Sequence, residues 1–194
     1  MSWGRKGSDP RAGEGPADGS RRLFVSRVVS FSALALAAPT AAVAAREERV
    51  LSFFHTHTSD RLTLPYFADG AYLPRSLARL DHFLRDLRTG EEHAIDPTLY
   101  DILHALRELT GTRQPFHVIS GFRSAATNAR LRSAPGSGVA RASLHLQGQA
   151  IDIRLGDVSS AILRDAALEL GRGGVGYYRQ SDFVHVDTGR VRAW

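Results

Sequence analysis

Cysteine is absent from all 194 residues. That removes disulfides, thiolate-held zinc and cysteine nucleophiles together. Lysine is nearly absent as well: Lys6 stands alone, and arginine carries the rest of the positive charge. No apolar run approaches the roughly 20 residues that a membrane-spanning helix needs. Basic residues outnumber acidic ones 25 to 20, but six of the former and three of the latter fall in residues 1–44. The remainder holds 19 against 17 with no basic cluster, which gives no argument for a nucleic-acid partner.

What is present begins with an appendage. Residues 1–19 are rich in Gly, Asp, Arg and Pro and lack apolar periodicity. The twin arginines Arg21-Arg22 then lead into an apolar run over 28–38, and Ala42-Val43-Ala44 forms a small-residue cleavage site. This order predicts a twin-arginine export signal over 1–44, a folded domain over 45–194, a periplasmic location and no stable membrane anchor after cleavage. The domain is long enough for one ordinary core.

Along that domain, 50–57 and 60–67 alternate as two strands of a hairpin, with Pro65 placing the second at an edge. His55 and His57 share a face there and read as ordinary polar-face residues, since no third ligand lies nearby. Pro74 opens a helical pattern, with Leu77, Leu80, Leu84 and Leu87 on one face, that ends near Thr89-Gly90. Asp96-Pro97 caps a second helix reaching Gly111. His82, His93 and His104 fall on these helices or their link and read as surface or boundary residues. A strand over 116–119 runs into Ser120-Gly121-Phe122-Arg123, and Ser124 caps a short helix through Leu131. The stretch 133–141 is a Gly/Pro/Ser loop. A strand over 150–154, a helix from Asp157 or Ser159 to Leu170, and a last hairpin (175–178 and 183–187) complete the order. The expected class is α+β: a small, mainly antiparallel sheet with packed helices.

The chemistry concentrates in Ser143-Leu144-His145-Leu146-Gln147-Gly148-Gln149-Ala150-Ile151-Asp152. In a strand over 150–154, Ile151 and Ile153 point one way and Asp152 the other. A carboxylate on such a strand needs a donor or a metal. With His145 and with His185 of the last strand it makes two histidines and one aspartate, a usual ligand set for catalytic zinc with a position left for water. Asp187 shares the face of His185, and either reaches the metal or orients His185 from outside the ligand set. Asp182 lies at the bend before that strand, where a carboxylate can swing over the open position. Arg123 is suited to polarising a carbonyl or gripping a substrate carboxylate.

The set Ser143-x-His145-x-x-Gly148-x-Ala150-x-Asp152, then Asp182-x-x-His185, resembles the M15 zinc peptidases, which include D-alanyl-D-alanine dipeptidases and carboxypeptidases. The similarity is closer to the DUF882 branch, the murein endopeptidase K type. It extends over Ser120-Gly121-Phe122-Arg123-Ser124, Gly173-Gly174-Val175-Gly176-Tyr177-Tyr178, Phe183-Val184-His185-Val186-Asp187-Thr188-Gly189 and Arg192-x-Trp194. The resemblance implies the small α+β metallopeptidase fold and Zn²⁺ on His145, Asp152 and His185. It also implies a general base at Asp182, a carbonyl-polarising Arg123, a substrate-side Ser143 and peptidoglycan peptides as substrate. Some relatives have glutamate at the base position, and the aspartate here has a shorter reach.

The expected function is therefore an exported zinc peptidase acting on peptidoglycan cross-links or stem peptides. The alternative is a non-catalytic wall-binding module that keeps zinc for shape. A cysteine-dependent L,D-transpeptidase is excluded by composition, and neither Ser120 nor Ser124 has a base at a suggestive spacing.

Overall fold

The computed structural model describes residues 47–135 and 138–194. The predicted signal over 1–44 lies outside the described residues. Among the described residues no helix is long and apolar enough to cross a membrane.

The chain opens with an antiparallel hairpin, β1 (Glu48–His55) and β2 (Arg61–Ala68), followed by the short β3 (Ala71–Tyr72). Two helices, α1 (Pro74–Phe83) and α2 (Pro97–Thr110), carry the chain across to β4 (Phe116–Ser120), which pairs parallel with β1. Next come α3 (Ala125–Arg132), a 3₁₀ turn (Leu144–Gln147), β5 (Ala150–Arg154) and α4 (Ser160–Leu170). The chain closes with β6 (Gly174–Tyr178), a second 3₁₀ turn (Arg179–Ser181), β7 (Phe183–Asp187) and β8 (Arg192–Ala193). One sheet takes all the strands in the order β3-β2-β1-β4-β5-β7-β6-β8. It is mainly antiparallel, as expected, but among the described residues eight strands make it larger than the small sheet predicted, and four helices accompany it.

The caps explain most boundaries. Asp96, Ser124 and Ser159 each accept a backbone N–H of the first turn of α2, α3 and α4, and Gly111 and Gly171 close α2 and α4 in left-handed conformation. Helix α1 ends earlier than its leucine spacing predicts. The Leu84 carbonyl instead accepts Phe122 N–H at 2.8 Å, and the Asp86 carboxylate accepts both N–H and O–H of Ser124. The first hairpin begins two residues before its predicted start. Strand β3 covers only Phe67 and Ala68 of β2, so the outer side of β2 stays unpaired at Pro65, and the β1–β2 register slips at that point.

Alternation sorts the sheet into two faces. Phe53, Phe116, Val118, Ile151, Ile153, Val184 and Val186 belong to one buried cluster with Leu80, Leu99, Leu103, Leu106 and Leu163 of the helices. Asp152 and His185 stand directly opposite one another on the other face, in the β5–β7 register.

Candidate metal centre

Three elements bring the predicted ligands together. Strand β5 supplies Asp152, β7 supplies His185, and the 3₁₀ turn before β5 supplies His145. All three are buried, at 1–7 % exposure. Asp152 Oδ1 lies 3.1 Å from His145 Nε2 and 2.9 Å from His185 Nδ1, and the two nitrogens are 3.1 Å apart.

The outer nitrogens fix the tautomers. His145 Nδ1 lies 2.6 Å from the Gly121 carbonyl, which can only accept, so Nδ1 carries the hydrogen and Nε2 presents its lone pair. His185 Nε2 donates to Asp187 Oδ2 at 3.0 Å, which turns the Nδ1 lone pair inward. Two imidazole lone pairs and a carboxylate oxygen therefore converge, and such a trio needs a cation at its centre. Zinc in tetrahedral coordination, with bonds of about 2.0–2.2 Å, holds its ligands about 3.3–3.5 Å apart. The observed separations need to open by only a few tenths of an ångström, so the residues fit the ion.

The electrostatics agree with a cation site. Burial holds His145 below the usual histidine range, in its neutral ligating form. Burial would raise Asp152, but the two histidines and Arg123 hold it well below the carboxylate range. Burial would lower His185, but the Asp152 and Asp187 carboxylates on its two sides raise it. Asp187 is itself depressed despite burial, since it accepts from His185, Arg192, and the Gly189 and Gly174 amides. Asp187 thus contacts His185 on the ring nitrogen that faces away from the trio.

Arg123 donates through Nε to Ser120 Oγ at 2.8 Å and through Nη2 to Asp152 Oδ2. Its Nη1 has no protein acceptor among the described residues. A cavity of about 290 Å³ opens over the trio, with Arg123, Ser143, Tyr178, Phe183 and Trp194 in its walls. Arg123 and Ser143, expected on the substrate side, thus both line this cavity.

Asp182, the expected general base, is not brought to the trio. It sits in the left-handed region (φ 51°, ψ 57°), accepts from the Ser160 hydroxyl at the start of α4, and lies 3.9 Å from Arg154. Its carboxylate is largely exposed, and Asp182 does not line the cavity. Among the described residues Asp152 is the one carboxylate in the cavity wall. Among the described residues His55 and His57 belong to no metal-sized cluster, and His55 is buried against Phe83.

The residue-level reading missed the support behind His185. Strand β8 pairs parallel with β6 and places Arg192 on Asp187 (2.6 and 3.0 Å) and the Trp194 ring 5.2 Å from the His185 ring. Two glycines of β6 make room for it. A Cβ on Gly174 would meet Arg192 and Asp187, and one on Gly176 would lie 2.7 Å from the Trp194 ring. The alternate glycines of Gly174-Val175-Gly176, with Arg192-x-Trp194 after them, are the available sequence signal.

Comparison with known proteins follows the same lines. The profile of the Peptidase_M15_2 family, described as peptidoglycan L,D-endopeptidase MepK, matches residues 43–194. Peptidoglycan L,D-endopeptidase MepK of Escherichia coli K12 is 41% identical over 175 residues, covering 90% of this chain and 96% of the relative. The protein of the same name from Shigella flexneri gives the same figures. A probable peptidoglycan L,D-endopeptidase MepK of Haemophilus influenzae is 39% identical over 155 residues, or 79% and 83% of the two chains.

Proposed function

The chain belongs to the Peptidase_M15_2 family, and from that membership we propose that it is a zinc-dependent peptidase cleaving L,D peptide cross-links of peptidoglycan. The bond type comes from the names of its relatives. The observation that carries the metal part is the convergence of His145 Nε2, Asp152 Oδ1 and His185 Nδ1, at 2.9–3.1 Å from one another.

These three residues would hold the ion, and bound zinc supplies Lewis acidity and lowers the pKa of its water to about 7. The chain supplies the rest. Gly121 and Asp187 hold the two imidazoles in their ligating tautomers. Arg123, anchored on Ser120 and Asp152, has Nη1 left for a substrate carbonyl oxygen whose negative charge grows during attack. Ser143 offers a hydroxyl at the cavity wall, and Tyr178, Phe183 and Trp194 limit the water around the bond. Asp182 serves as a tie between the β6–β7 bend and α4, since its carboxylate engages Ser160 and Arg154.

The wall-binding alternative draws support from one observation, the lack of a second carboxylate among the described cavity residues. Incubating the protein with purified cross-linked muropeptides and weighing the products separates the two readings. The peptidase reading expects cleavage at the L,D bond that stops with a chelator and returns with zinc. It expects His145→Ala and Asp152→Ala to lose both metal and activity. Tight muropeptide binding with no product from the zinc-loaded protein would establish the module instead.

Export through a twin-arginine signal over 1–44, to the periplasm, is part of the proposal. The family match begins at residue 43, within the expected cleavage site. Replacing Arg21 and Arg22 by lysine should leave the protein undelivered; normal delivery would favour the general secretory route.

A further inference from the structure

A second cavity, of about 250 Å³, shares Arg123 with the one over the trio. Its walls include His55, His57, Arg85, Asp86, Arg88 and Arg123. The Ser120–Arg123 segment lines it, and the same segment holds His145 through the Gly121 carbonyl. The two cavities are therefore neighbours that share Arg123 in their walls.

The charges in this second cavity do not balance. Asp86 is buried and its oxygens are committed: Oδ2 to the N–H and O–H of Ser124, Oδ1 to the N–H of Arg88. Arg123 is matched by Asp152. The Arg85 guanidinium donates to the His82 carbonyl at 2.6 Å and, among the described residues, neither it nor the Arg88 guanidinium has a carboxylate partner. His55 adds a neutral donor. Its Nδ1 accepts from the His57 amide at 3.3 Å, which leaves the hydrogen on Nε2, and the ring is only 3 % exposed. A pocket lined by two arginines without a carboxylate partner among the described residues, and by a histidine with its hydrogen on Nε2, is complementary to a compact anion with several acceptor lone pairs.

We propose that this cavity is a carboxylate subsite, in which Arg85 and Arg88 bind a free carboxylate of the peptide whose scissile bond lies at the trio. The inference rests on the peptidase reading for the identity of the ligand. Chain ends and acidic side chains of stem peptides supply the group, and the shared Arg123 sets the subsite beside the bond to be cut. The subsite would then select peptides by charge and place them in register with the metal centre.

The test is a binding measurement, kept apart from turnover. A stem tetrapeptide with free carboxylates and its fully amidated counterpart are titrated by calorimetry into the full chain, with the peptide masses checked afterwards. The free-acid form should bind ~10-fold or more tightly than the amide. Arg85→Gln/Arg88→Gln should bring both peptides to the same weak Kd, and Arg85→Lys/Arg88→Lys should keep most of the preference. The exposed Arg88→Gln alone, expected to lose several-fold, keeps the test standing if the double variant does not fold. Equal binding of the two peptides, no binding of either, or a preference undiminished in the glutamine variants would overturn the subsite. A protein that shows the preference yet cleaves no cross-linked muropeptide supports the subsite and overturns the peptidase reading.

Discussion

Asp182 and Asp187 lie on either side of His185 in the chain, three residues before it and two after, yet they have opposite surroundings. Asp187 is fully enclosed and receives His185, Arg192 and two backbone amides. Asp187→Asn should therefore weaken zinc binding by ~10–100-fold, because the amide no longer holds the imidazole with the same charge, and excess zinc should restore most turnover. Asp182→Asn changes a group outside the cavity, so the zinc-loaded variant should turn over within a few-fold of the parent. A loss of ~10²-fold or more in that variant would return the general-base role to Asp182. Metal titration with kcat measured at saturating zinc distinguishes these outcomes. Spacing alone could not decide between the two acids. The left-handed backbone at Asp182 aims its side chain at Ser160, and three residues of separation carry no information about that direction.

At the scale of elements, one buried carboxylate ties the segment after α1 to the start of α3, beside the Phe122–Leu84 backbone bond. Asp86 joins the turn after α1 to the first residues of α3 through Ser124. Burial would raise its pKa. Hydrogen bonds from the Ser124 hydroxyl and from the Ser124 and Arg88 amides help to overcome that and bring it down to about 2. A depressed folded-state pKa contributes stability above the unfolded value near ~3.9, and the contribution is lost as pH falls through the folded value. The parent should lose urea resistance on acidification between pH ~4 and ~2. Asp86→Asn should be less stable at neutral pH and decline less over that window; parallel curves would assign the acid loss elsewhere. The caps at Asp96 and Ser124 and the strands flanking the ligands were legible because short-range rules decide them, and Ser159 is the one of the two starts left open for α4 that caps it. The early end of α1 was not, because Leu84 is captured by Phe122, 38 residues away, while Leu87 continues the apolar spacing. Strand β8 was not legible either: two residues have no periodicity, and its partner is fixed only once β6 is in the sheet.

Over the whole molecule, the ligands come from adjacent strands of the sheet and from the turn that leads into one of them. Bound zinc would tie β5, β7 and the 3₁₀ turn together from the polar face while the apolar cluster holds their opposite face. An ion that binds the folded chain and not the unfolded one stabilises it by about 2.7 kcal/mol at a free concentration of 100 times Kd. Melting curves should therefore rise with zinc and fall with a chelator in the parent. The shift should vanish in His145→Ala; a shift of equal size in that variant would place the stabilising ion elsewhere. The general sheet class was readable from the order of strands and helices. The full width was not, because β3 and β8 are each two residues long.

The indole seated on Gly176 also gives the protein an optical handle. Trp194 is one of two tryptophans, and the other, Trp3, lies outside the described residues. With Trp3 replaced by Phe, all tryptophan emission originates about one ring diameter from a proposed ligand, since the Trp194 and His185 rings are 5.2 Å apart. Zinc has a filled d shell and should leave that emission bright. Copper(II) or cobalt(II) taking the same place should quench it in proportion to occupancy, so metal uptake can be followed in real time without a dye. Gly176→Ala supplies the control: its added methyl displaces the ring, and the quenching should weaken even at full occupancy. Emission indifferent to copper and cobalt in the parent would mean that neither ion sits beside His185.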